Sequence, residues 1–156
     1  MEIIKTPFEG LLVLQTVNFQ DNRGGFQKLF NYDFFKENGL DCDFKEFYYS
    51  VNKANVVRGM HFQTPPFDHT KVVYVSKGRI MDVVVDIRKS SRTYGKCFSI
   101  ELNDQKGRYL YTYHRFAGSD DEIPDAYELI IEEQGSYFYD VSNFRFYTFA
   151  ESNEKK

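Results

Sequence analysis

The chain has 156 residues, the length of one ordinary domain, so we expect a single domain over residues 1–156. Hydrophobic residues make up 42% of the sequence and no apolar run reaches about eighteen residues, which excludes a membrane-spanning helix. The net charge of −3 argues against a nucleic-acid-binding surface. The N-terminus lacks the basic and apolar regions of a secretory signal, so we expect a cytoplasmic protein without membrane or nucleic-acid partners.

The residue types favour an all-β fold with reduced thiols. The only two cysteines, Cys42 and Cys97, lie far apart without neighbours of metal-ligand type, which predicts neither a disulfide framework nor a zinc site. Aromatic residues reach 18%, from 16 Phe and 12 Tyr, and such residues favour the pleated surface of a sheet.

Strand patterns dominate along the chain, and one short helix interrupts them. In chain order we predict strands at residues 11–17 and 44–51, two strands at 71–75 and 80–87 joined as a hairpin by a Gly-containing turn, and strands at 98–102 and 109–113. Residues 32–38 resemble a helix that ends at Gly39. Many short strands at about ten-residue spacing indicate a sandwich or a barrel.

The densest cluster of chemically interesting residues surrounds His61. Pro65 and Pro66 follow it, and prolines force a turn, so we expect His61 and Lys71 on adjacent antiparallel strands, pointing into one cavity. A histidine can accept a proton near neutral pH, and a lysine ammonium can stabilise an oxyanion that develops on a carbonyl. Spacing alone leaves a purely structural histidine as the alternative.

A second cluster, residues 20–26, places Arg23 in a Gly-rich turn. The planar guanidinium can bind a phosphate, and the nearby Phe26 can stack on a base. An ordinary hairpin turn with an exposed arginine is the alternative.

Four motifs in order resemble the dTDP-4-dehydrorhamnose 3,5-epimerase family. They are an Asp-x-Arg-Gly-x-Phe-like turn, an Arg-Gly-x-His-x-Gln segment, a Pro-rich turn leading to a lysine, and a Gly-x-x-x-Asp-Val-x-Val-Asp-x-Arg segment. In this sequence they occupy residues 21–26, 58–63, 65–71 and 78–88.

The resemblance implies a cupin-type β-barrel (jelly roll) that forms a homodimer, needs no cofactor and acts on a nucleotide-linked 4-keto-6-deoxyhexose. It assigns His61 as the base that removes a proton next to the ketone, and Lys71 as the group that stabilises the enolate. It assigns Arg23 and Arg58 to the diphosphate. We also expect Phe26 and Gln63 to bind substrate, and residues 11–17 to form the dimer contact.

A metal site is disfavoured by the residue at position 63. Metal-binding cupins carry His-x-His, whereas Gln63 follows His61 here, and His69 lies eight residues from His61 without a nearby glutamate.

The resemblance weakens beyond about residue 107. It returns near residues 137–144, where Tyr139 falls at the position of the family's tyrosine acid, with Tyr137 as a close competitor. A tyrosine opposite the histidine can return the proton to the other face of the sugar.

The C-terminal carboxylate that pairs with the base histidine in longer family members has no counterpart here. Asp82 or Asp86 can take its place; Asp82 is in the motif position, and alternation puts it on the same strand face as Val84 and Asp86. The alternative is that Asp82 has a structural role, in which Lys71 or backbone amides bind its carboxylate.

Three functions therefore remain open from the sequence. The first is an epimerase that inverts C3, C5 or both. The second is an inactive protein that still binds a sugar nucleotide, and the third is a related 3,4-ketoisomerase. The presence of both His61 and Lys71 favours the epimerase, since a binding protein needs neither.

Overall fold

The computed structural model describes residues 1–54, 56–62 and 69–113, together with the backbone of residues 126–132. Its elements are β1 (Glu2–Lys5), β2 (Leu11–Gln15), β3 (Asn18–Asp21), β4 (Gly24–Gln27), α1 (Tyr32–Glu37), β5 (Val57–His61), β6 (Lys71–Val73), β7 (Arg79–Asp86), β8 (Cys97–Asn103), β9 (Arg108–Thr112) and β10 (Ala126–Glu132). The prediction of an all-β fold is confirmed.

The described strands form two four-stranded sheets and a separate two-stranded ribbon, all antiparallel. The first sheet has the order β1-β2-β9-β6 and the second has the order β5-β10-β7-β8. The ribbon pairs β3 with β4. The strands at residues 11–17, 98–102 and 109–113 are confirmed as β2, β8 and β9.

The first sheet is buried on both faces. Leu11 and Val13 pack with Ile80 and Val84 of the second sheet, whereas Leu14 on the other face packs with α1. Because successive strand residues point to opposite faces, a strand covered on both sides needs apolar residues at every position. This explains the continuous apolar run of β2.

The helix α1 confirms the prediction for residues 32–38. Its N-terminus is capped by Asn31, whose side-chain oxygen accepts a hydrogen bond from the Phe34 amide at 2.8 Å. Gly39 follows the helix at φ +67°, a left-handed conformation that glycine adopts without steric cost. Phe35 is the buried residue of the helix, and its ring lies 6.0 Å from that of Tyr111 in an edge-on contact.

Two expectations about the strands are wrong. Residues 44–51 form no strand, and Phe47, Tyr48 and Tyr49 are exposed, because aromatic content is only a weak strand signal without alternating burial. The segments predicted as one hairpin fall into different sheets: β6 pairs with β9, and β7 pairs with β8 and β10. The turn before β7 carries the chain across the core, so that Val73 and Ile80 meet from opposite sheets.

Candidate functional site

The predicted site residues occupy three parts of the fold. Arg58 and His61 lie on β5 of the second sheet, Lys71 and Asp82 face the space between the sheets, and Arg23 lies in the turn of the β3–β4 ribbon. The predictions for Gln63 and Tyr139 lie outside the described residues.

The expectation that His61 and Lys71 lie on adjacent antiparallel strands is wrong. β5 pairs with β10, where His61 is opposite Glu128, and β6 pairs with β9, where Lys71 is opposite Thr112. Each strand takes its partner from a later part of the chain, so the proline-containing segment between β5 and β6 connects two sheets instead of closing a hairpin. Convergence of the two residues therefore depends on how the sheets face each other.

Asp82 is the most unusual charged group in the described part of the chain. Its side chain is 0% exposed, and among the residues that the structure describes neither carboxylate oxygen has a hydrogen-bond partner. Burial raises the pKa of Asp82 to about 7, although the positive charge of Lys71 opposes the shift. The neighbours of Asp82 on the same strand face, Ile80 and Val84, belong to the core between the sheets.

Lys71 points into the same interior from the opposite sheet. Val73, two residues along β6 and hence on the same face, packs in the core cluster that contains Ile80 and Val84. Burial lowers the pKa of Lys71, and the negative charge of Asp82 opposes that effect. An ammonium held in a largely dry interior is suited to stabilise an oxyanion, because water screens it little there.

A bulge in β5 brings Arg58 and His61 onto one face. Leu129 of β10 pairs with Gly59 and Glu128 pairs with His61, which leaves Met60 as the extra residue. Without this bulge, residues three apart would point to opposite faces. Met60 packs instead on the other face of the sheet, against Val83 and Met81.

The register across β10 relates this face to the buried carboxylate. Ile130 pairs with both Arg58 and Asp82, and Glu128 pairs with both His61 and Val84. Because directly paired residues share a sheet face, His61 and Arg58 lie on the face of Asp82, two strands away. Neighbouring strands lie about 5 Å apart, so this offset is about 10 Å between backbones. Asp82, offered by the sequence as a stand-in partner for His61, accepts no hydrogen bond from His61 or from any other described residue.

Asp86, the other candidate carboxylate, is hydrogen-bonded to residues of the turn that follows β7. Its oxygens accept hydrogen bonds from Arg88 Nε at 2.8 Å, Arg88 Nη2 at 2.7 Å and the hydroxyls of Ser91 and Thr93. Burial acts to raise its pKa, but these hydrogen bonds outweigh it, and the pKa of Asp86 falls to about 2. Asp86 therefore holds the turn after β7 and is not a partner for His61.

The two candidate arginines at the surface, Arg23 and Arg58, have acidic or amide partners. Arg23 Nη2 lies 2.6 Å from Asp21 Oδ2, and its side chain is 86% exposed. Phe26, opposite Phe19 in the ribbon, is 59% exposed. Arg58 Nε donates to Asn52 Oδ1 at 2.6 Å. Within one chain, the ribbon thus presents Arg23 and Phe26 to solvent.

Two buried hydroxyl residues near Lys71 were missed from the sequence. Thr70, directly before β6, is buried, and Tyr111, on the neighbouring strand β9, is fully buried. The Asp41 backbone amide donates a hydrogen bond to the Tyr111 hydroxyl at 2.8 Å. No local pattern indicates that the segment after α1 reaches Tyr111.

Metal-ligating side chains do not converge in the described parts of the chain. There, no three His, Cys, Asp or Glu side chains form a group that could hold a metal ion. Among the same residues, no helix is long and apolar enough to cross a membrane.

Solved structures define the class of the fold. The RmlC epimerase of Mycobacterium tuberculosis is 29% identical, with a TM-score of 0.72 over 86% of this chain and 62% of that protein. The dTDP-4-dehydrorhamnose 3,5-epimerase of Sulfolobus tokodaii is 30% identical, with a TM-score of 0.70 over 84% of this chain and 68% of that protein. The predicted cupin-type all-β class is confirmed.

Sequence comparison identifies the family. The family described as dTDP-4-dehydrorhamnose 3,5-epimerase matches residues 5–148. The protein of that name from Shigella flexneri is 33% identical over 92% of this chain and 76% of its own length. The one from Methanothermobacter thermautotrophicus is 38% identical over 73% of this chain, which spans only 61% of that relative. The chain belongs to the dTDP-4-dehydrorhamnose 3,5-epimerase family.

Proposed function

We propose that this protein is an isomerase that epimerises a nucleotide-linked 4-keto-6-deoxyhexose at C3, C5 or both, in deoxysugar biosynthesis. The observation that carries the proposal is the charged interior: Lys71 and Asp82 face the same space between the sheets, and His61 lies on the sheet face of Asp82. The family supplies the reaction. His61 supplies a base, Lys71 a cation, and Asp82 a buried carboxyl group with a raised pKa.

His61 removes the proton from the carbon next to the ketone. The electron pair of the broken C–H bond forms the C=C bond of an enolate, and the carbonyl electrons move onto oxygen. Lys71 then stabilises that oxygen, which makes the carbon acid strong enough for an imidazole base. The reaction is redox-neutral, because the proton returns to the same carbon.

Inversion requires that the proton return on the opposite face of the ring. We assign this step to Tyr139, with Tyr137 as the competing candidate from the sequence. A phenol can donate a proton to the enolate carbon and recover it from His61 through solvent after product release.

The nucleotide is proposed to be dTDP, as the relatives' names indicate. A related structure from Bacillus anthracis, 27% identical with a TM-score of 0.65, is described with TDP and PPi bound. In this chain Arg23 and Arg58 supply the cationic groups for a diphosphate, Phe26 supplies a ring that can stack on the base, and Gln63 contacts substrate.

We further propose a homodimer. The fold argues against the expected dimer contact at residues 11–17. β2 lies between β1 and β9, and its residues Leu11, Val13 and Leu14 are buried within the chain. Among the described strands, the sheet ends are β1, β6, β5 and β8, and an unpaired edge is the part of a sheet that pairs with another chain. Light scattering should report about twice the chain mass at micromolar concentration; a monomer would contradict the dimer.

The experiment that tests the proposed chemistry compares His61→Asn with the wild type in deuterated water. Loss of a general base should lower deuterium incorporation into the sugar by about 10²- to 10⁴-fold, with nucleotide affinity nearly unchanged. His69→Asn, which alters an exposed histidine on the far side of the proline-containing segment, is the control and should leave both unchanged. Full exchange in His61→Asn would show that His61 is structural; nucleotide binding without exchange in the wild type would favour the binding protein.

A further inference from the structure

The β3–β4 ribbon contacts the rest of the chain at its base. In the described part of the chain it has no third strand, and its residues are exposed except for Asn18 and Gln27, which are half-buried and directly paired with each other. A two-stranded ribbon is at best marginally stable alone in water. The direction in which this ribbon extends therefore depends on what holds its base.

The side-chain amides of Asn18 and Gln27 bind one turn. Asn18 Nδ2 donates a hydrogen bond to the Gln105 carbonyl oxygen at 2.7 Å, and Gln27 Nε2 donates to the Asp104 carbonyl oxygen at 2.8 Å. Asp104 and Gln105 are consecutive residues of the turn between β8 and β9. Each strand of the ribbon thus contributes one donor, and two such bonds fix a direction where a single bond would leave a pivot.

The turn that accepts these bonds is itself held in place. Asp104 Oδ2 accepts a hydrogen bond from the Gly78 amide at 2.9 Å, and the Asp104 amide donates to the Gly78 carbonyl at 3.1 Å. Asn103 Oδ1 accepts from the amides of Gln105 and Lys106 at 3.1 and 2.9 Å. The two carbonyl groups that receive the ribbon therefore belong to a fixed support.

We propose that Asn18 and Gln27 are positioning residues that fix the direction of the ribbon and thereby the place where Arg23 and Phe26 meet a nucleotide. The roles of Arg23 and Phe26 rest on the proposed function, whereas the two amide contacts are a property of the fold. Neither amide is assigned a contact with the nucleotide; both act through the ribbon.

The position of Arg23 makes the direction of the ribbon important. Arg23 lies in the turn of the ribbon, about 10 Å from the base, since strands rise about 3.3 Å per residue. Over that length, a tilt of about 20° moves the turn by about 3 Å. A hydrogen bond to a phosphate oxygen requires a donor–acceptor distance near 2.9 Å, so such a tilt removes the guanidinium from its partner.

Gln15 provides a matched control. Its side-chain amide donates to the Lys106 carbonyl at 2.7 Å, so it binds the same turn, but from β2 of the first sheet. Gln15→Met and Gln27→Met therefore remove the same group from the same turn without a change in net charge. Only the second change acts on the ribbon.

The first measurement follows the motion of the ribbon and needs no ligand. In the double variant Asn18→Leu, Gln27→Met, the ¹⁵N order parameters of the Gly24 and Gly25 amides should fall from about 0.85 to below about 0.6. Gln15→Met should retain the wild-type values. Unchanged order parameters in the double variant, or an equal fall in Gln15→Met, would overturn the positioning role, whether or not the protein binds dTDP.

The second measurement is titration calorimetry with dTDP. Asn18→Leu and Gln27→Met should each weaken binding by about 5-fold, and the double variant by about 10- to 30-fold, because only the fraction of ribbons in the competent direction binds. Gln15→Met should bind as the wild type does. Unchanged affinity in the double variant would overturn the proposal. A wild type that does not bind dTDP, with a ribbon that loosens as expected, would contradict the proposed nucleotide alone.

Two further readouts distinguish positioning from a general loss of stability. In steady-state exchange, Gln27→Met should raise KM with kcat nearly unchanged, since the ribbon is separate from the two sheets that enclose the interior. In a background of Arg23→Ala with Phe26→Ala, Gln27→Met should weaken dTDP binding no further, because a residue that acts through these two has no effect once they are gone. A fully additive loss in that background, or a lowered kcat with unchanged KM, would overturn the proposal.

Discussion

Lys71 and Asp82 come from different sheets, yet their charges meet in one interior, where each opposes the effect of burial on the other's pKa. Neither Asp82 oxygen accepts a hydrogen bond from a described residue, and the Lys71 charge is the largest influence that lowers the pKa of Asp82. A buried acid of this kind is unfavourable for folding when ionised, which is typical of groups retained for function. Lys71 and Asp82 therefore place a positive charge and an ionisable carboxyl group in the same interior.

Asp82→Asn should stabilise the protein at high pH. The pKa of Asp82 is raised in the folded state to about 7 from 3.8, so its contribution to stability is present at low pH and is lost as the pH rises to about 7. Three pKa units correspond to about 4 kcal/mol, an upper limit for the gain at pH 8. Chemical denaturation at pH 4 and pH 8 measures it. A variant no more stable than wild type at pH 8 would contradict the unpartnered buried carboxylate.

Asp86→Asn should have the opposite effect. The pKa of Asp86 is lowered to about 2, so its contribution is present above about pH 4 and is lost as the pH falls toward 2. The variant should lose about 2 kcal/mol of unfolding free energy at pH 7. Asp21→Asn, which breaks an exposed ion pair, is the control and should change stability little. Equal unfolding free energies for Asp86→Asn and the wild type would show that the turn does not depend on this carboxylate.

Lys71→Met should slow deuterium exchange by about 10²- to 10³-fold, since the enolate oxygen loses its cationic partner. Lys77→Met, at an exposed lysine in the turn before β7, should exchange at the wild-type rate. Nucleotide affinity is measured in parallel, because Lys71 is proposed to act on the transition state and not on the nucleotide. A wild-type exchange rate in Lys71→Met would show that Lys71 does not stabilise the enolate.

Arg23→Ala and Arg58→Ala should each weaken nucleotide binding by about 10-fold and reduce its salt dependence, because a charge-assisted hydrogen bond to phosphate is lost. Titration calorimetry with dTDP at two salt concentrations measures both effects. Arg92→Ala removes an exposed arginine from the turn after β7 and should bind as the wild type does. Unchanged affinity in both site variants would show that neither Arg23 nor Arg58 binds the diphosphate.

Local elements were predictable because local patterns determine them. The Asn31 cap and Gly39 bound α1, and the apolar run of β2 reflects two covered faces. The choice of strand partners was not predictable, because it depends on long-range packing: Lys71 pairs with Thr112, and β10 inserts between β5 and β7.

The same distinction holds for the site. Motif order indicated His61, Lys71 and Asp82 as candidates. Their arrangement follows from two features without a local signal: the bulge at Met60, which turns His61 toward the face of Asp82, and the crossing between sheets, which sets Lys71 opposite Asp82. The role of Asp86 likewise depends on side chains that reach it only in the folded chain.

We propose that this chain breaks and re-forms a C–H bond next to a ketone. The most direct measurement incubates the wild-type protein with a dTDP-linked 4-keto-6-deoxyhexose in deuterated water and locates deuterium in the recovered sugar by NMR. We expect deuterium at C3, at C5 or at both, with inversion at the labelled carbon. A sugar nucleotide that binds and returns with no deuterium at either carbon would contradict it.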